Sequence, residues 1–246
     1  MPVDKPHSKS GKIVVGDAGA KAAVRSSSQD VAAFLKAAKS IDPTGTGRLV
    51  FSLDATMSRQ PTWDRACQIQ ASMFESVSKI GGLSVQLVYF RGFGECKASR
   101  WVVNANALRD LMCTITCRGG QTQITKVLKH AGKEHAREKI SALVYIGDAM
   151  EEDADQLCHL AGELGLKGLR TFMFQEGSDR LAESTFRQIA ELTGGAYFRL
   201  GPDSARELAE ILGAIAVYAS AGRKALESSG KRGARLLLEQ MPGSGT

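Results

Sequence analysis

Short apolar runs with few charges recur along the chain, separated by segments whose apolar residues repeat every three or four positions. Apolar runs of this kind are typical of strands buried on both faces, as in parallel sheets. A more polar, alternating segment at residues 95–103 predicts an edge strand that is antiparallel to its neighbour. The other strands are predicted at residues 48–54, 84–90, 139–146 and 168–174, with a short last strand at 196–200.

The segments between these runs have the periodicity of amphipathic helices. In the segment 178–193, Leu181, Phe186, Ile189 and Leu192 are expected to face the core. Asn104 or Asn106 is a suitable cap for the helix that follows the edge strand. Helices are predicted at residues 28–41, 61–80, 104–115, 125–135, 178–193 and 202–219, with one more beginning at 151–153.

Strands that alternate with helices in this way imply right-handed crossovers and a parallel sheet. The predicted fold is therefore α/β: a Rossmann-like, doubly wound, mainly parallel central sheet with one antiparallel edge strand and helices on both faces. The domain is predicted over residues 28–221, with a leading helix at 28–41 and a core at 48–219. Residues 1–27 and 222–246 are predicted as flexible basic tails, and a partner-binding helix is the alternative for the second.

The net charge of +6 comes from the two predicted tails. Residues 1–27 and 222–246 each carry five Lys or Arg and two Asp or Glu, whereas residues 28–221 carry 22 of each. A neutral domain argues against a specific nucleic-acid surface, although basic tails add weak, salt-sensitive contacts to polyanions.

The five cysteines are an odd number scattered through apolar segments, which favours a reducing compartment over a disulfide framework. The first residues contain no signal-like apolar segment, and no run reaches the roughly 18 apolar residues of a membrane span. A cytoplasmic protein without a membrane span is therefore expected.

The stretch 48–58 is a strand that ends on a carboxylate followed by two hydroxyls. Asp54, Thr56 and Ser58 stand at i, i+2 and i+4, which puts the three side chains on one side of an extended or looping backbone. Open parallel sheets bind their ligands just outside the carboxyl ends of the strands. Taken alone, the stretch is more typical of a turn that caps the next helix.

Two further segments change that interpretation. The strand 139–146 ends near Asp148, and Thr122 follows the glycine pair Gly119-Gly120. Because these loops fall at corresponding places in the alternation of strands and helices, three oxygen-bearing loops are expected at one edge of the sheet. The acidic residues 151–153 suit the N-terminus of the following helix.

These residues resemble a von Willebrand factor A (VWA) domain with a metal-ion-dependent adhesion site. The Asp-x-Ser-x-Ser motif of that family stands here as Asp54-Ala-Thr56-Met-Ser58. Its threonine after a glycine pair corresponds to Thr122, and its strand-ending aspartate corresponds to Asp148. The resemblance runs over residues 48–219 and implies the same doubly wound fold.

The resemblance implies a cation site that uses an acidic residue of a protein partner as the remaining ligand, with some aspartates acting through water. Hard oxygen ligands favour Mg²⁺ or Mn²⁺. The implied function is metal-dependent protein binding without catalysis. Gly147 and Ala149 stand where the family often has Thr and Gly, a change expected to alter affinity more than metal binding itself. The implied ligands are Asp54, Thr56, Ser58, Thr122 and Asp148.

Three alternatives remain open from the residues. Asp54 is a possible nucleophile of a metal-dependent hydrolase or phosphotransferase, but Thr56 stands where such enzymes usually carry a second acid, and no base is apparent. Nucleotide binding is disfavoured because no glycine lies between Asp54 and Ser58 to form a phosphate cradle. The third alternative is a VWA fold that acts as a scaffold with a vestigial site.

Overall fold

The computed structural model describes residues 47–60, 83–201 and 205–242. The predicted N-terminal tail and the predicted helices at 28–41 and 61–80 lie outside the described residues.

The centre of the fold is a six-stranded sheet in the order β3-β2-β1-β4-β5-β6. Neighbouring strands are parallel except β3, which is antiparallel to β2 and forms one edge. The predicted mainly parallel sheet with one antiparallel edge strand is confirmed. The strands are β1 (Gly47–Asp54), β2 (Leu83–Arg91), β3 (Glu95–Val102), β4 (Ala142–Gly147), β5 (Arg170–Glu176) and β6 (Ala196–Leu200).

Helices connect the strands and cover the sheet. The side chain of Asn104 caps the first described helix by accepting the backbone N–H groups of Asn106 and Ala107. A 3₁₀ turn, Met57–Arg59, follows β1. The described α-helices are α1 (Ala105–Cys113), α2 (Ile124–Arg137), α3 (Ala154–Leu166), α4 (Arg180–Leu192), α5 (Ala205–Ser228) and α6 (Arg232–Gln240).

Each face of the sheet carries its own apolar core, since successive strand residues point to opposite faces. Phe51 belongs to a cluster with residues of α1, α5 and α6, whereas its neighbour Val50 belongs to a cluster with residues of α2, α3 and α4. Helices therefore pack on both faces, as predicted. None of the helices in the described part of the chain is long and apolar enough to cross a membrane.

Two leucines of α4 differ from the prediction. Phe186 and Ile189 are fully buried, but Leu181 is 57% exposed and Leu192 is 46% exposed. The buried stripe of α4 includes Ala182, and each residue turns the helix by about 100°, so Leu181 and Leu192 lie at the margin of that stripe.

The structure has helices where the sequence suggested a flexible tail after residue 221. Helix α5 continues past a break at Gly222, whose φ is +79°, and α6 packs against it. Gly233 allows this contact, because a Cβ there would lie 2.1 Å from the carbonyl oxygen of Glu210. Leu237 is fully buried in the core on this face of the sheet.

Candidate metal centre

Asp54 ends β1 inside the protein, with its side chain fully buried. Its Oδ1 accepts the backbone N–H of Thr56 at 2.8 Å, while its Oδ2 is buried without a hydrogen-bond partner. The hydroxyl oxygens of Thr56 and Ser58 lie 3.0 Å apart. The structure thus brings these three residues together, with Thr56 buried and Ser58 exposed.

The electrostatic environment of Asp54 disfavours its charged form. The pKa of the Asp54 carboxyl is raised to about 6, mainly by burial and to a smaller extent by the nearby charge of Asp148. Hydrogen bonds from Thr56 and the charge of Arg59 lower this pKa but only partly compensate. Without another positive charge, ionised Asp54 is therefore destabilised in the fold.

Arg59 lies beneath the site and is almost completely buried. Its guanidinium donates to the carbonyl oxygen of Asp54 at 3.3 Å and to that of Ile146 at 3.1 Å. It also pairs with the carboxylate of Glu176 at 2.8 Å. One side chain thus links the ends of β1, β4 and β5. No local pattern in the sequence indicates this role, because two of the partners of Arg59 lie 87 and 117 positions away in the chain.

Asp148 reaches the same edge from β4. Because β4 is parallel to β1 and pairs Ile146 with Leu53, Asp148 follows β4 just beyond the level of Asp54. Asp148 Oδ1 is buried and has no hydrogen-bond partner. Packing explains the glycine at the preceding position, since a Cβ on Gly147 would lie 2.6 Å from the hydroxyl of the buried Tyr145. A threonine does not fit at that position without movement of Tyr145.

The loop between α1 and α2 brings Thr122 to this edge. Arg118 donates its backbone N–H to the carbonyl oxygen of Ala55 at 3.0 Å and forms a parallel bridge with Thr56. Thr122 is buried, and both its N–H and its hydroxyl donate to Glu151 Oε2, at 2.9 and 2.7 Å. The three loops predicted to meet at one edge of the sheet are therefore adjacent.

Glu151 and Glu152 belong to this site rather than to the helix that follows them. Sequence reasoning assigned both to the N-terminus of α3, but Asp153 caps that helix by accepting the N–H of Gln156 at 2.7 Å. Glu152 instead accepts the N–H groups of Ile124 and Thr125, at the start of α2. The run of acidic residues after Asp148 is visible in the sequence. Its role at the site is not, because the residues that Glu151 and Glu152 bind are distant in sequence.

The side chains predicted as ligands offer only oxygen atoms to a cation. Two buried carboxylate oxygens without hydrogen-bond partners, on Asp54 and Asp148, lie beside the loops that carry the hydroxyls of Thr56, Ser58 and Thr122. In the described part of the chain no three His, Cys, Asp or Glu side chains form a metal-binding group. This set of carboxylate and hydroxyl oxygens fits a hard cation such as Mg²⁺ or Mn²⁺.

The sequence matches no protein-family model and no curated protein. The fold does match solved structures. A von Willebrand factor type A protein from Catenulispora acidiphila superposes with a TM-score of 0.56 at 16% identity, over 69% of this chain and 42% of that one. The chain thus spans less than half the length of that protein.

Two further structures cover similar parts of the chain. The SpRpn10 VWA domain has a TM-score of 0.54 at 11% identity, over 67% of this chain and 94% of its own. Proximal thread matrix protein 1 from the mussel byssus, with a zinc-occupied MIDAS motif, has a TM-score of 0.54 at 16% identity, over 70% of this chain and 45% of its own. At these identities the likeness establishes the fold, and the predicted VWA fold is confirmed.

Proposed function

We propose that this chain is a protein-binding module that holds Mg²⁺ or Mn²⁺ at the carboxyl edge of its sheet. A carboxylate from an Asp or Glu of the partner completes the coordination of the ion. The observation that carries the proposal is the pair of buried, unpartnered carboxylate oxygens on Asp54 and Asp148. The ligands are Asp54, Thr56, Ser58, Thr122 and Asp148.

The electrostatics of the site support a bound cation. The buried carboxylate of Asp54, beside the partly buried carboxylate of Asp148, is costly unless a positive charge compensates it, and Arg59 compensates only in part. A divalent ion offsets both charges and occupies the oxygens that lack hydrogen bonds. Because three of the five ligands are neutral hydroxyls, the ion retains affinity for one more carboxylate.

The neighbouring contacts fit a ligand role for Thr122. Its hydroxyl proton points to Glu151, and its oxygen accepts the backbone N–H of Glu151 at 3.1 Å. A hydroxyl oxygen has two lone pairs, so one remains for a cation. Glu151 thus positions the Thr122 oxygen and adds negative charge beside the site.

The mussel protein with a zinc-occupied MIDAS motif has this fold and binds a metal in it. For the present chain we favour Mg²⁺ or Mn²⁺, because Zn²⁺ generally selects nitrogen and sulfur ligands, which the five proposed ligands do not provide. The same donor set suits binding rather than catalysis, since it contains no paired nucleophile and base.

Calorimetric titration of Mg²⁺ and Mn²⁺ into purified protein tests the metal. Wild type should bind one ion, and Asp54→Asn should abolish the binding signal. Asp155→Asn is the matched control, because Asp155 is an exposed aspartate in the first turn of α3. Equal binding by wild type and Asp54→Asn, or no binding by wild type, would refute the metal site and leave the fold as a scaffold.

The partner is tested separately, with wild type and Asp54→Asn as baits in lysate, with magnesium and with chelator. Proteins captured only by wild type in magnesium, and displaced by a high concentration of free acetate or glutamate, support carboxylate coordination. Capture that is identical under all four conditions contradicts it.

A further inference from the structure

The hairpin between β2 and β3 presents an exposed aromatic side chain at its tip. Phe93 is 84% exposed, and it lies between Gly92, with φ +61°, and Gly94, with φ +102°. Only glycine adopts these backbone angles readily, so the conformation of the turn depends on the two glycines. This conformation leaves the side chain of Phe93 in solvent. A single exposed phenylalanine is common on protein surfaces, so the neighbouring features of the fold decide whether Phe93 has a role.

The tip of this hairpin is fixed to the loop that carries Thr122. Gln121 donates its N–H to the carbonyl oxygen of Gly92 at 3.3 Å, and the side-chain amide of Gln123 donates to the same oxygen at 3.3 Å. A Cβ on Gly120 would lie 2.2 Å from that oxygen, which shows how closely the two backbones approach. The backbone of the turn that carries Phe93 is therefore held beside the loop that carries Thr122.

A second exposed apolar side chain lies on the loop that follows β1 and carries Thr56 and Ser58. Met57 stands between Thr56 and Ser58 and is 39% exposed. This loop joins the strand that leads into the hairpin, because Ala55 donates its N–H to the carbonyl oxygen of Phe90 at 2.9 Å. Met57 and Phe93 thus belong to two adjoining loops at the edge that carries the candidate metal centre.

The surroundings of the hairpin are positively charged. Lys97 and Lys126 are exposed, and the Lys126 ammonium holds the carbonyl oxygen of Gly94 at 3.0 Å. The acid nearest to the tip, Glu95, already pairs with Arg91 at 3.0 Å and with Arg118 at 3.5 Å. At the hairpin itself these basic charges outnumber Glu95. The acids of the neighbouring loop, Glu151 and Glu152, accept the N–H groups of Thr122, Ile124 and Thr125, so the hairpin is complementary to an acidic segment.

We propose that Met57, Phe93 and the basic residues of this hairpin form a docking surface for an acidic protein segment with a large apolar side chain near its metal-binding carboxylate. This inference rests on the proposed function and adds what the partner must look like. A single carboxylate is common on protein surfaces and gives little selectivity by itself. A fixed aromatic anchor and complementary charge supply that selectivity.

The test uses synthetic peptides with one fixed central glutamate and neighbours varied among Ser, Leu, Phe, Lys and Glu. The peptides are immobilised at high density, so that weak single contacts add up. In magnesium, wild type should prefer peptides that combine Leu or Phe with additional acids, and it should reject those with Lys. Chelator should remove this binding.

Phe93→Ser is the central variant. It should bind the preferred peptides roughly 10-fold more weakly and lose the preference for Leu and Phe, with unchanged affinity for Mg²⁺ by calorimetry. Leu166→Ser is the matched control, because Leu166 is 93% exposed at the end of α3, away from this edge. Lys97→Glu should weaken selection for the additional acids and leave the apolar preference in place.

Each result separates this inference from the proposed function. If Phe93→Ser selects the same peptides as wild type, the docking surface is refuted while the metal site stands. If wild type binds Mg²⁺ but no peptide, both the docking surface and the proposed carboxylate partner are refuted. Selection of acidic apolar peptides that survives chelator and is lost in Phe93→Ser would support the surface and overturn its metal dependence.

Discussion

Asp54 determines the energetics of the site at the scale of a single residue. Its folded-state pKa is about 6 because burial opposes ionisation, compared with 3.8 for an ordinary aspartate. The folded state therefore binds a proton more tightly than the unfolded chain. As pH rises from 4 to above 6, metal-free protein loses stability, by up to about 3 kcal/mol for a shift of this size.

Asp54→Asn should therefore stabilise the metal-free protein at pH 8. We expect a gain of up to about 3 kcal/mol that shrinks towards zero near pH 4, measured by urea unfolding in chelator at a series of pH values. The exposed-site variant Asp155→Asn should show no comparable pH dependence. A metal-free Asp54→Asn variant less stable than wild type at every pH would contradict this account.

Arg59 is the buried residue that connects the strand ends at the site. Arg59→Met should cost about 3 kcal/mol, because it leaves two backbone carbonyls and the Glu176 carboxylate without their guanidinium donor. Urea unfolding measures the loss. Arg206→Met is the control, since Arg206 is 89% exposed in a surface pair with Glu210, and it should cost no more than about 0.5 kcal/mol. Equal losses in the two variants would contradict a structural role for Arg59.

At the scale of elements, strands were easier to predict than the C-terminal helix. Each central strand is an apolar run with charges only at or near its ends, and both of its faces are covered, so consecutive residues show the burial. Helix α6 has only nine residues, among them two arginines, and isolated helices of that length are marginal in water. It is stabilised by contact with α5, which a local pattern does not reveal.

Removal of that contact should be measurable. Leu237→Ala should lower the free energy of unfolding by about 2–5 kcal/mol, because Leu237 is fully buried and its truncation leaves a cavity. Arg235→Ala, an exposed position on the same helix, is the control and should change stability little. If Leu237→Ala matched this control in chemical denaturation, α6 would not be an integral part of the fold in solution.

At the scale of the whole molecule, sheet topology assembles the site. Strands β1 and β4 are adjacent and parallel, so their carboxyl ends bring Asp54 and Asp148 to one edge. The α1–α2 loop then crosses to Ala55 and places Thr122 beside them. The proposed ligands come from segments far apart in sequence, so a bound ion should couple to the stability of the entire domain.

Magnesium should accordingly raise the melting temperature of wild type. At a free Mg²⁺ concentration 100 times the dissociation constant, the gain is about 2.7 kcal/mol, or roughly 5–10 °C for a domain of this size. Thermal unfolding with magnesium and with chelator measures the shift. Asp54→Asn should show none, and a comparable shift in that variant would indicate nonspecific ion effects.

The sequence by itself determined the strands of the sheet, the antiparallel edge strand, the helices on both faces and the candidate ligands. These features depend on local patterns, because burial on two faces favours apolar residues along a strand, and the candidate ligands stand in the loops at the strand ends. The gap between predicted and observed helix ends is largest in α5, which continues for nine residues beyond the predicted end at residue 219.

Only the tertiary structure decided how those candidates are supported. The Arg59–Glu176 pair joins residues 117 positions apart, and the Thr122–Glu151 contact joins residues 29 apart. Neither partner is specified by its own neighbours in sequence. Three other features could not be predicted for the same reason, since each depends on how separate segments pack together. They are the contact of Glu152 with the start of α2, the packing of α6, and the position of the Phe93 turn beside the Thr122 loop.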